Sequence, residues 1–339
     1  MIKVGDAIAK KGGRAFGKIK VGELSNRMEV FIPVMIVNGK KEGPTFWMNG
    51  AVHGDELNGL IAMRKVMFDL NPDELEGTVI CTPISNPMGF QGRTKLNPID
   101  SLDLDQQFPG SPNGSFSQRI AYELFNEIKN KANYLVSFHT IGTPYAAKPY
   151  VVYKTIPNIS PEINEEMKKM ALAFGVYANF NVNIATAAGE VPGPLSASID
   201  VQCGLNGIPA FMAEVGGGGR LENEHIEVAV TGIYNLLKYF GMIPGKPKIP
   251  DRQIIITSRK HIRCTSGGMA IMDVMPGQVL KKGEKIAHII DVGSEMSEIE
   301  VLEADQDMYI ISTRVNPPVD TGDRIAFVGL KWEEYSGIF

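Results

Sequence analysis

Cysteine is scarce in this chain. Cys81, Cys203 and Cys264 are an odd number, widely separated, and no two of them form a Cys-x-x-Cys pair. That argues against a disulfide framework and against a cysteine zinc site. Cys203, between Gln202 and Gly204, reads as a small core residue rather than a nucleophile. A basic excess is also missing: 34 Lys and Arg against 38 Asp and Glu leave a formal net charge of −4. Nucleic acid is therefore not an expected partner. No apolar run reaches the roughly 18 residues that a membrane helix needs. The opening Met1-Ile2-Lys3-Val4-Gly5-Asp6 has no apolar signal-peptide core, so the expected compartment is the cytoplasm, with no membrane partner. The Gly216–Gly219 run lacks the spacing and the Lys-Ser/Thr ending of a phosphate-binding loop. It reads instead as a flexible loop that lets a substrate approach.

Histidine is the rarity that carries information, with five in 339 residues. His53 and Glu56 close an apolar run, Thr45 to Val52, that is bounded by Gly43-Pro44 and Gly54 and reads as a buried strand. A tight Gly turn there can aim an imidazole and a carboxylate at one point. Zinc takes such donors at about 2 Å, and a catalytic zinc uses three of them and leaves one position for water. His139 ends a second apolar segment, Tyr134 to Thr140, and Glu214 ends a third, Ile208 to Glu214. Polar residues at strand ends are where open α/β sheets build their sites. An isolated His-x-x-Glu arises by chance, and a lone strand-end His is often structural. The recurrence of the same context at all three places favours a metal site, without naming its reaction.

These segments resemble the succinylglutamate desuccinylase/aspartoacylase family, relatives of the zinc carboxypeptidases. The resemblance rests on Gly50-Ala51-Val52-His53-Gly54-Asp55-Glu56, Asn86-Pro87-Met88-Gly89-Phe90, Arg93, Asp103 to Gly110, Phe138-His139-Thr140 and Ala213 to Gly219, in the family's order. It implies one Zn²⁺ per chain held by His53, Glu56 and His139. It also implies Glu214 as general base and Arg93 as a residue that holds substrate and polarises its carbonyl. Zinc lowers the pKa of a bound water to about 7, Glu214 would move its proton, and zinc with Arg93 would stabilise the developing oxyanion.

One departure bears on substrate. The family's Asp-Leu-Asn-Arg reads Asp103-Leu104-Asp105-Gln106 here. In relatives the Asn-Arg pair grips a carboxylate, and Gln cannot supply the charge of a guanidinium. Asp105 and Gln106 are thus substrate-binding candidates of altered preference, with a neutral or cationic group expected near Asp105. In the other reading Asp105 is a turn residue, and Arg119, Arg220 or Lys95 takes over the clamp.

Along the chain, Met28 to Val37 reads as strand ending in the turn Asn38-Gly39-Lys40. Helices are expected at 58–70, 117–130, 160–174 and 224–240, and a strand at 77–83. Residues 86–114 read as a long structureless active-site wall, and 140–160 as irregular, with Tyr145, Tyr150 and Tyr153 as packing residues. Gly241 to Pro250 is the clearest linker. It divides a hydrolase domain, 1–245, from a β domain, 251–330, whose short strands and turns suggest a small barrel or sandwich. The stretch Met275 to Glu284 also looks like a biotinyl/lipoyl half-barrel, but no lysine stands at the expected tip. His225 reads as a solvated or capping residue at a helix start, and His261 and His288 read as structural. The expected fold is α/β, a zinc carboxypeptidase-like mixed sheet flanked by helices, with a smaller C-terminal all-β, barrel-sandwich-like domain. The expected function is zinc-dependent hydrolysis of the amide bond of a small N-acylated amino acid or amine. The alternatives are a carboxypeptidase-like peptidase and a silent zinc-fold binding protein. A homo-oligomer is left open.

Overall fold

The computed structural model describes residues 1–187 and 194–337. One thirteen-stranded sheet runs through both parts of the chain. From its edge inward, the helix-flanked part contains Gly13–Glu23, Glu29–Asn38, Glu76–Thr82, Lys41–Asn49, Tyr134–His139, Ala210–Glu214, Tyr150–Thr155 and Ala178–Asn183. The four central strands, Glu76–Thr82 to Ala210–Glu214, are parallel. The sheet is mixed because Tyr150–Thr155 enters antiparallel to Ala210–Glu214.

The central strands read as unbroken apolar text because both faces are covered. Phe46 and Met48 pack with helices Asn58–Asp69, Pro161–Phe174 and Asn223–Tyr239 on one face. Trp47, between them, turns to the other face, against helices Phe116–Lys129 and Ile199–Leu205. Val136 and Phe138 alternate with Leu135 in the same way. Helix Pro161–Phe174 shows its bounds in sequence: Pro161 occupies the first turn and Gly175 ends it at φ 90°.

Strand Glu29–Asn38 ends at the turn expected at Asn38-Gly39-Lys40, and that turn does not join neighbouring strands. Strand Glu76–Thr82 lies between Glu29–Asn38 and Lys41–Asn49, and the Gly39 N–H donates to the Gly77 carbonyl at 2.8 Å. Two expectations on local structure are corrected. The stretch 140–160 is not irregular but holds strands Tyr145–Ala147 and Tyr150–Thr155. The wall at 86–114 contains a helix, Pro87–Gly92, and a 3₁₀ turn, Leu104–Gln106.

Beyond residue 250 the main sheet continues. Gln253–Arg263 pairs parallel with Ala178–Asn183 at its start and antiparallel with Arg324–Tyr335 along its length. A second, four-stranded antiparallel sheet (Glu298–Glu303, Lys285–Ile290, Gly268–Met272, Pro318–Val319) packs over its own apolar core. The connection 241–250 is held down: Asn235 bonds Lys248 through both its amide groups, and Met242 is fully buried. No helix among the described residues is long and apolar enough to cross a membrane.

The loop after Lys41–Asn49 lies against helix Pro87–Gly92 so closely that a Cβ on Gly54 would stand 1.9 Å from the Gly89 carbonyl carbon. Backbone cannot yield as a side-chain tip does. Gly54→Ala is expected to lower stability by roughly 2 kcal/mol or more, read as a fall in the urea midpoint.

Candidate metal centre and active site

The parallel strands all deliver their carboxyl ends to one rim. Lys41–Asn49 leads into the loop that carries His53 and Glu56, just ahead of helix Asn58–Asp69. Tyr134–His139 ends on His139, and Ala210–Glu214 ends on Glu214, its direct partner in register. One ligand atom from each of His53, Glu56 and His139 lies within 4.8 Å of the others, and all three residues are buried. His53 Nδ1 stands 3.0 Å from Glu56 Oε1, His139 Nδ1 3.0 Å from Glu56 Oε2, and the two Nδ1 atoms 3.3 Å apart.

The surroundings fit a cation at that point. Each donor is oriented from behind by a second group, as in metal sites generally. Asp103 Oδ1 is 2.9 Å from His53 Nε2, Ser137 Oγ is 3.1 Å from His139 Nε2, and the Thr140 N–H donates to Glu56 Oε2 at 3.0 Å. Two imidazole nitrogens turned toward each other around a carboxylate are a zinc donor set of the His/His/Glu type. Burial alone would favour neutral His53, but the Glu56 and Asp103 carboxylates outweigh it and hold its pKa well above 6.5. His139 is raised too, against its burial, by Glu56. Burial works against the charge of Glu56, yet His53 and His139 win and lower its pKa to about 2.

Glu214 is held differently. Burial, and then repulsion from Glu56, push its pKa up to about 7, and its Oε2 is buried with no hydrogen-bond partner. A carboxyl tuned near neutrality beside a metal-type cluster has the properties of a proton acceptor.

A cavity of about 810 Å³ opens over the cluster. Arg93, Asp105 and Gln106 all line it, as do His53, Glu56, His139 and Glu214. Arg93 is exposed and ends helix Pro87–Gly92 in the left-handed region, at φ 56°. Asp105 sits on the turn Leu104–Gln106, where Asp103 Oδ1 accepts its N–H at 3.0 Å. Burial raises the Asp105 pKa, His139 opposes, and the nearby Asp200 adds to the rise. Of the three alternative clamp residues only Lys95 lines the cavity among the described residues, and it is tied to Asp103 at 3.2 Å. Arg119 donates to the Pro112 carbonyl, and Arg220 to Glu222.

The remaining readings divide. His225 bonds Glu222 at 3.1 Å and His288 bonds Asp273 at 3.1 Å, each away from the cluster. His261 lines the cavity and lies against Phe327, ring centres 4.8 Å apart. Tyr153 packs in the core, but Tyr145 and Tyr150 reach the cavity. The reading of Gly216–Gly219 as a flexible loop is corrected. Gly216 to Gly218 are buried and line no part of the cavity among the described residues. Ile141 N–H donates to the Gly216 carbonyl (3.0 Å), Gly217 N–H to Glu222 Oε2 (2.8 Å) and Gly219 N–H to the Asp55 carbonyl (2.7 Å). A Cβ on Gly218 would lie 2.7 Å from Gly142 backbone. These glycines let the loops after His139 and Glu214 pack together.

Sequence reasoning assigned no role to Asp103, Lys154, Asp200, Arg259 or Arg324. Lys154 was legible as a charge directly after the apolar run Tyr150 to Tyr153. It is buried and paired with the fully buried Asp200 at 2.6 Å. Arg259 and Arg324 reach the cavity from the strands beyond residue 250, so nothing local marks them.

A metal takes unprotonated imidazole, whereas the Glu56 and Asp103 carboxylates at His53, and Glu56 at His139, raise both pKa values and favour the protonated rings without one. Binding must then expel protons, and affinity falls as pH falls. Calorimetric zinc titration in buffers of differing ionisation enthalpy is expected to show proton release at pH 7. Apparent affinity should weaken steadily toward pH 5.5, and His139→Ala should lose most of the bound metal.

Comparison with known proteins accords with this geometry. The model of the succinylglutamate desuccinylase/aspartoacylase catalytic domain matches residues 42–240. N-alpha-acetyl-L-2,4-diaminobutyric acid deacetylase of Halomonas elongata is 26% identical over 304 residues, 88% of this chain and 85% of that protein. The crystal structure of a succinylglutamate desuccinylase/aspartoacylase from Rhodobacter sphaeroides is 27% identical, with a TM-score of 0.82 over 95% of this chain and 96% of the other. The product-bound ectoine utilization protein EutE (DoeB) of Ruegeria pomeroyi has the same fold at 21% identity, with a TM-score of 0.81 over 94% and 95% of the chains. With more than half of its length matched by the family model, the chain belongs to the succinylglutamate desuccinylase/aspartoacylase family.

Proposed function

We propose that this chain is a zinc-dependent amidohydrolase that removes the acyl group from a small N-acylated amino acid. His53, Glu56 and His139 would hold the ion. The observation that carries the reading is Glu214, whose buried, unpartnered Oε2 and pKa of about 7 stand at the strand end directly beside His139.

Bound zinc supplies Lewis acidity and a water that ionises near neutral pH. The chain's residues do the rest. Glu214 accepts the proton of the attacking water and returns it to the departing nitrogen, so the C–N bond breaks to give a carboxylic acid and an amine. Asp103, Ser137 and Thr140 hold the three donors in place. Arg93 stands at the rim as a donor for the substrate carbonyl. Val152, Phe180 and Met212 give the cavity an apolar side. Arg324 offers a fixed cation for a carboxylate. Its guanidinium lies 3.6 Å from the Tyr145 ring centre, and its Nε is buried without a hydrogen-bond partner. That favours an N-acyl amino acid over a simple N-acyl amine.

The curated relative from Halomonas elongata is named a deacetylase of an N-acetylated amino acid, which supports this class of reaction. A small-molecule partner also suits a cavity of this volume. A silent binding protein gains nothing from a carboxyl poised near neutrality. A peptidase would want a cation at position 106, where Gln stands.

Glu214→Gln keeps the shape and removes the proton acceptor. With zinc content unchanged, kcat on N-acetyl amino acids is expected to fall by roughly 10²- to 10⁴-fold. Unchanged turnover would remove the assignment of Glu214.

A further inference from the structure

We propose that Asp105 determines specificity by receiving an ammonium group of the substrate, so that the preferred substrates are N-monoacylated diamino acids. This rests on the deacylase reading above and adds to it which amino acids are served.

The acidic side chains around the cavity differ in their counter-charge. Asp55 has no cationic side chain within 4 Å among those described, but its Oδ2 accepts the Thr143 hydroxyl at 3.0 Å and its Oδ1 is buried. Glu56 faces two imidazoles. Asp103 has His53 on one oxygen and Lys95 on the other. Asp200, behind the wall and fully buried, has Lys154 at 2.6 Å. Glu214 is the proton acceptor and works without a cation. Asp105 lines the same cavity and has no cationic side chain within 4 Å among the described residues. Among the described residues its carboxylate takes one hydrogen bond, a long one of 3.4 Å from the Ile199 N–H. Lys95 and Lys154, the cavity's nearby lysines, are each committed to another aspartate.

The position of Asp105 is also fixed relative to the reacting centre. Asp103 Oδ1 accepts the Asp105 N–H and at the same time touches His53. An ammonium brought in by substrate would complete the charge balance of this wall with a charge-assisted hydrogen bond. A methyl group would leave the carboxylate uncompensated, and a second carboxylate would be repelled. Gln106 beside it supplies no positive charge to reverse that preference. With Arg324 as the opposite pole, the cavity carries an anion and a cation, as a zwitterionic substrate requires.

The test compares matched pairs on the zinc-loaded enzyme. Nα-acetyl-2,4-diaminobutyrate is set against Nα-acetylnorvaline, and Nα-acetylornithine against Nα-acetylnorleucine, in which a methyl replaces the ammonium; Nα-acetylaspartate is the anionic control. In at least one pair the ammonium compound is expected to have the higher kcat/KM by roughly 10- to 100-fold. In Asp105→Asn that ratio should fall toward one, and Asp105→Asn/Gln106→Arg should move the preference to Nα-acetylaspartate. Because each ratio is taken within one variant, a general loss of folding or activity cancels. Wild-type preference for the methyl compounds or for Nα-acetylaspartate would overturn the proposal, as would a ratio that Asp105→Asn leaves intact. Calorimetric binding of free 2,4-diaminobutyrate, ornithine, norvaline and norleucine to Glu214→Gln and to Asp105→Asn/Glu214→Gln separates the two readings. Tighter binding of the diamino acids that depends on Asp105, without turnover of any acetyl compound by the wild type, sustains the role of Asp105 and removes the deacylase. Binding indifferent to Asp105 removes this proposal and leaves the deacylase standing.

Discussion

Two imidazole nitrogens 3.3 Å apart, with a carboxylate between them, are the constraint around which this molecule is arranged. Such a group is costly to bury, because each charged or polar atom must be matched by a partner or by a cation. The fold meets that demand with three strand ends rather than one loop. Parallel neighbours bring their carboxyl ends to the same rim, so register alone sets His139 against Glu214. The close packing of Gly54 on Gly89 and of Gly218 on Gly142 follows from the same need. Loops that must converge on one point leave no room for side chains between them.

The cavity above this cluster belongs to the whole chain. Its floor and one wall come from the helix-flanked sheet, and Arg259, Lys260, His261, Arg324 and Phe327 come from strands beyond residue 250. Those strands hydrogen-bond into the main sheet through Ala178–Asn183 and Gln253–Arg263. A side chain on Gln253–Arg263 therefore has a defined place over the site, which a tethered module would not give it. The buried pair Lys154–Asp200 has the same character. It sets a fixed dipole in the wall, and breaking it would leave the fully buried Asp200 carboxylate without its partner.

Most of the architecture was legible because both sheet faces are covered, which writes strands as apolar runs with chemistry at or just past their ends: His139 and Glu214 end their strands, and His53 lies in the loop after Lys41–Asn49. What was hidden had physical reasons. Ala178–Asn183 is a strand with three asparagines, a residue depleted in strands, and only its position between two others makes it one. The turn after Asn38 was legible, but not that strand Glu76–Thr82 lies between the two strands it joins, since sequence shows only neighbours in the text. The glycine run suggested freedom, whereas its backbone groups are tied to Glu222, Ile141 and Asp55, none of which is recognisable as a partner from the text. Arg324 and Arg259 were invisible for a related reason: they act across a separation that no local pattern spans.

The turn Leu104–Gln106 shows how such a site can keep its chemistry while changing what it accepts. Asp103 faces backward, to His53 and Lys95, and so belongs to the metal cluster. Asp105 and Gln106 line the cavity. The two tasks are two residues apart and are joined by the hydrogen bond from Asp105 N–H to Asp103 and by the charges of His139 and His53 acting on Asp105. Exchanging charge at 105 and 106 alters the potential felt by a substrate side chain a few ångströms from the cluster. In the proposed deacylase, opposite sides of this one short segment carry the support of the His53, Glu56 and His139 cluster and the choice of substrate charge.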